Sequence, residues 1–71
     1  MISKTYIKEL DFNTIEDVYT YIVDSEINGN IKQYKELVNK LSKSQFKDFI
    51  FFVRMHDINQ DLFINARLQN I

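Results

Sequence analysis

Apolar residues recur along the chain at three- and four-residue steps, and short polar clusters interrupt them. Ile15, Val18, Tyr19 and Ile22 form the first clear stripe, with Ile27 near its end, the spacing of one helix face. Asn13 offers a side-chain acceptor to the free amides of a first turn, and Glu16, three residues on, can reach back to it. Asn28-Gly29-Asn30 ends the pattern, and Gly29, the chain's single glycine, suits the left-handed position past a helix end. The reading is a helix near 14–27. A second stripe, Ile31, Tyr34, Leu37, Val38 and Leu41, leaves Lys32, Lys35, Glu36 and Lys40 off it and predicts a helix near 31–41.

Ser42 and Gln45 stand at capping-box spacing and open a third helix, near 43–56, with Phe46, Phe49, Ile50 and Val53 on one side. Phe51, Phe52 and Met55 fall elsewhere around it. Asp57-Ile58-Asn59-Gln60 breaks the pattern, and Leu62, Phe63, Ala66 and Leu68 predict a last helix near 59–69. Such short connections favour antiparallel neighbours in a small three- to four-helix bundle, so the fold class is all-α. The first twelve residues stay open between irregular coil, a helix with Ile2, Tyr6 and Leu10 on one face, and a short strand around Thr5-Tyr6-Ile7. A lone strand would need a partner chain to pair with.

Seventy-one residues make one domain. A domain this small folds through unusually good packing, staples or association, and with no cysteine in the chain disulfides are excluded. No apolar stretch is long enough to cross a bilayer, and the N-terminus has no apolar signal-peptide core, so a cytoplasmic location is expected. Abundant Ile, Asn and Lys beside one Gly and no Pro suggest a low-GC coding bias, consistent with a bacterial, phage or mobile-element protein.

Charge is segregated. Residues 9–31 carry six acids (Glu9, Asp11, Glu16, Asp17, Asp24, Glu26) and no base, whereas 32–54 carry six bases against Glu36 and Asp48. One reading is an acidic helix lying beside a basic one with surface ion pairs, each worth about 0 to 1 kcal/mol. The other is a pair of opposite-signed faces that steer a charged partner. The net charge of −1 is unlike the basic balance of a typical DNA-binding module.

Catalytic chemistry finds little to build on. His56 is the only histidine, and Ser3, Ser25, Ser42 and Ser44 lie in no nucleophile-elbow context. Glu16 and Asp17 are adjacent on a helix and do not converge. Asp57-x-Asn59-x-Asp61 resembles the opening of an EF-hand calcium loop, with Ile64 at its hydrophobic position. Leu62 and Leu68 stand where that loop needs its glycine and its bidentate glutamate, and a helix cap by Asp57 or Asn59 accounts for the same residues. Neither a metal nor a cofactor is expected, and the chain reads as non-enzymatic.

Contact remains. Residues 46–55 contain seven apolar residues, four of them phenylalanine, more than the three or four per two turns that a bundle helix buries. Either other helices surround this one or a partner covers part of it. The expected function is therefore a protein–protein interaction module, a small regulator or inhibitor that docks on a larger protein or forms a homodimer. Phe51, Phe52, Met55, Tyr19 and Tyr21 are the interface candidates, the tyrosines because a ring with a polar end is favoured at interfaces. The alternative is a small nucleic-acid-binding transcriptional regulator contacting phosphates through Lys32, Lys35, Lys40, Lys43 and Lys47. In that reading a ribbon-helix-helix dimer would use Ile2 to Tyr6 as its DNA-contacting strand.

Overall fold

The computed structural model describes residues 1–68, and within them the chain is a bundle of five helices. They are α1 (Lys4–Glu9), α2 (Ile15–Ile27), α3 (Ile31–Lys40), α4 (Lys43–Met55) and α5 (Asp61–Leu68). Helices α2, α3 and α4 lie within one residue of their expected bounds. The N-terminal ambiguity resolves to helix, with no strand among the described residues. Ser3 causes this locally, its Oγ accepting from the Tyr6 amide at 3.1 Å. The ribbon-helix-helix reading loses its strand.

Helix starts follow side-chain chemistry. Thr14, one residue later than expected, caps α2: its Oγ1 accepts from the Asp17 amide, while Asp17 Oδ2 accepts from the amides of both Asn13 and Thr14 at 3.1 Å. Asp17 therefore holds the place assigned to Glu16. The Ser42–Gln45 box stands as expected, with Gln45 Oε1 taking the Ser42 amide at 2.9 Å. Helix α5 begins at Asp61, not 59, because Asn59 Oδ1 accepts the Asp61 amide and keeps the preceding residues out of the helix. The expected residue 69 of this helix lies outside the described residues.

Three helix ends share one device. After α2, Gly29 at φ 75° lets Asn30 N–H reach Ser25 O and Gly29 N–H reach Glu26 O, the paired bonds of a Schellman turn. The same pair closes α1 through Asp11 (φ 66°) and α4 through Asp57 (φ 57°). Asp57 thus sits in the backbone cap that closes α4. Phe12 and Ile58, the residues following those aspartates, pack against the core.

The core is drawn from every helix. Val18, Tyr19 and Ile22 meet Leu37, Val38, Leu41, Phe49, Val53, Phe63 and Ala66, with Ile2 and Ile7 closing one end. Helix α3 packs against both α2 and α5. Phe49 is fully buried, with the rings of Phe63 and Tyr19 at 5.0 and 5.3 Å from its own, inside the range favoured by aromatic pairs. Arg67 ties α5 to the end of α3. Its Nη1 donates to the carbonyls of Val38 at 3.0 Å and Leu41 at 2.9 Å, and its guanidinium stacks 4.6 Å from the Phe46 ring centre. Carbonyls that a helix end leaves open are satisfied by another helix.

Three stripe members leave the core. Ile27 is 70%, Ile31 56% and Leu62 39% exposed. Ile27 lies five residues beyond Ile22, about 140° around the helix from it, and Ile31 and Leu62 stand in the first turns of α3 and α5.

Candidate functional site

Helix α4 has two unlike sides. Phe49 and Val53 are buried, and Phe46, Ile50 and Phe52 pack partly against the core. Phe51 lies two residues from Phe49, about 200° around the helix, and is 62% exposed; Met55, one turn further on the same stripe, is 68% exposed. Lys43, Lys47 and Arg54 share this outer side and are exposed. The outcome is an apolar pair with three cations along one flank and Asp48 on the other, on a 13-residue helix anchored by its opposite face.

The interface candidates therefore separate. Phe51 and Met55 stand free. Phe52 is half-buried, its ring 5.5 Å from Tyr19 and 4.5 Å from His56. Tyr21 is also half-buried, meeting the Phe12 ring edge-on at 5.3 Å. Tyr19 must be struck from the surface: it is 1% exposed. Its hydroxyl lies 2.9 Å from Asp48 Oδ2, to which it donates, and 3.2 Å from the Gln45 carbonyl oxygen. Burial, and next the hydrogen bond to Asp48, push the Tyr19 phenol far above its ordinary range. Tyr19 is a core ring with its polar end satisfied, a home that helical spacing alone allows equally well.

The lysines of the alternative reading are divided between two helices. Lys32, Lys35 and Lys40 border a shallow depression on α3 that also holds Glu36 and Asn39. Lys43 and Lys47 project from α4. Lys40 is engaged with α1, its Nζ 4.7 Å from the centre of the Tyr6 ring and 3.3 Å from the Tyr6 hydroxyl.

The helical N-terminus also creates a cleft. An open cleft of about 700 Å³ lies between α1 and the first turns of α2 and α4. Ile2, Ile7 and Ile15 give it apolar walls, Lys4 and Lys8 border it, and Gln45 and Asp48 close it from α4. It depends on α1 being a helix, which the sequence left open.

No helix among the described residues is long and apolar enough to cross a membrane. Comparison with protein-family models, curated proteins and solved structures gives no match to this chain.

Proposed function

We propose that this chain is a non-enzymatic protein–protein interaction module, a small regulator or inhibitor that acts by docking the outer face of α4. The observation that carries the reading is the pairing of Phe51 and Met55 on one solvent-facing stripe of a helix whose other side is already committed to the core. Single exposed apolar residues are ordinary on protein surfaces. Two large ones a turn apart, flanked by cations on one side and held on a packed helix, form an anchor of the sort that interfaces bury at their centre. The test is photo-crosslinking from position 51 in the native host, compared with position 39 on the exposed part of α3. Specific crosslinks from 51 alone, lost in Met55→Glu, are expected; equal yields from both positions would remove the reading.

The nucleic-acid alternative draws less support, because its five lysines are divided between helices, Glu36 stands among them and Lys40 is engaged by Tyr6. Retention on duplex DNA that weakens steeply with salt would revive it.

A further inference from the structure

We propose that the partner seated on the outer face of α4 is a second copy of this chain, which presents the outer face of its own α2. The inference rests on the docking reading of α4 and adds the identity of the occupant. Helix α2 contains no basic residue. Its exposed side carries Glu16, Thr20 and Asp24 and ends in the 70% exposed Ile27. The exposed side of α4 carries Lys43, Lys47 and Arg54 along one flank of Phe51, with the single acid Asp48 on the other, and ends in Met55.

The two faces match in length as well as in sign. Twelve residues separate Lys43 from Met55, about 18 Å of helix, and eleven separate Glu16 from Ile27, about 16 Å. Laid antiparallel with Ile27 level with Lys43, Arg54 comes level with Glu16, Lys47 comes within about 2 Å of the level of Asp24, and Phe51 lies between these pairs near Thr20. Opposite charges then flank the Phe51 contact, the arrangement that gives an interface its register. Within one molecule the faces cannot meet, because α2 and α4 are already joined through their inner sides by Tyr19, Asp48 and Phe49. Each copy offers both faces on opposite sides, so the contact is heterologous and repeats head to tail from copy to copy.

The experiment is sedimentation equilibrium on the whole chain and on two charge-reversed variants, Lys43→Glu with Lys47→Glu, and Glu16→Lys with Asp24→Lys, each shown by circular dichroism to keep its helices. The native chain should associate at low ionic strength, with its dissociation constant rising about tenfold or more in concentrated salt. Each variant alone should sediment as a monomer, because like charges then face each other. An equimolar mixture of the two should associate again, since reversed α4 meets reversed α2 and native meets native. A monomeric native chain at all concentrations would overturn the second copy as occupant while leaving the docking of α4 to the crosslinking test. Association that survives both reversals, or that Phe51→Glu leaves unchanged, would place the contact on another surface and overturn both.

Discussion

Gln45 holds Ile2 by both ends of its amide: Nε2 donates to the Ile2 carbonyl at 2.7 Å and Oε1 accepts the Ile2 amide at 3.0 Å. The same Oε1 takes the Ser42 amide in the capping box of α4. One side chain thus starts a helix and fastens a segment 43 residues away in sequence. Gln45→Ala should cost about 2 to 3 kcal/mol, from three hydrogen bonds each worth roughly 1 kcal/mol. Gln45→Glu keeps the acceptor and loses only the donor to Ile2, so it should cost less. Urea unfolding of the two variants gives the order.

Tyr19 makes the fold sensitive to alkali. Its phenol is raised in the folded chain, by burial first and by Asp48 second, while the unfolded chain ionises near the ordinary value of about 10. The stabilisation is complete below that value and is lost as pH rises above it, because the unfolded state releases its proton first. The denaturation midpoint should therefore fall above about pH 10. Tyr19→Phe should flatten that decline while lowering stability near neutrality by about 1 kcal/mol.

The two aspartates in left-handed backbone conformation invite replacement. Asp11 and Asp57 carry a side chain where glycine is freest. Asp57→Gly should raise stability by about 0.5 to 1 kcal/mol and Asp11→Gly should do the same, whereas Asp57→Val should lower it by more than 1 kcal/mol. Thermal unfolding checks the sign.

Phe49 and Phe51, two residues apart, should behave as opposites. Phe49→Ala empties the centre of the core and should cost about 3 to 5 kcal/mol. Phe51→Ala should change stability by less than about 0.5 kcal/mol, so any loss of partner contact in that variant reports the surface itself. Equal destabilisation by both would mean that Phe51 is core.

These residues also show what a sequence can convey. The stripes through Ile22, Val38 and Phe49 were legible because helical periodicity is local and each stripe has its own stop signal. Phe51 and Met55 were legible as surplus, since a helix buries only one side. Tyr19 was misassigned to the surface, because a ring with a polar end suits an interface and a core equally until its hydroxyl finds Asp48. Asp57 is legible as part of a break and as a cap candidate, but that it and Asp11 take the left-handed position past a helix end is a matter of backbone angle, which residue type does not convey. The Ile2–Gln45 clasp and the contacts of Arg67 join residues far apart in sequence, and no local pattern encodes such a pairing.

Arg67 carries a consequence for how the bundle opens. Its guanidinium covers carbonyls at the end of α3, so α5 cannot lift away without leaving Leu41 to find another donor and Val38 with the Leu41 amide alone. Fraying of the last helix is thereby coupled to melting of the helix behind it. Amide exchange should show α3 and α5 released together as one cooperative unit, with α5 protected beyond what its eight residues could sustain alone.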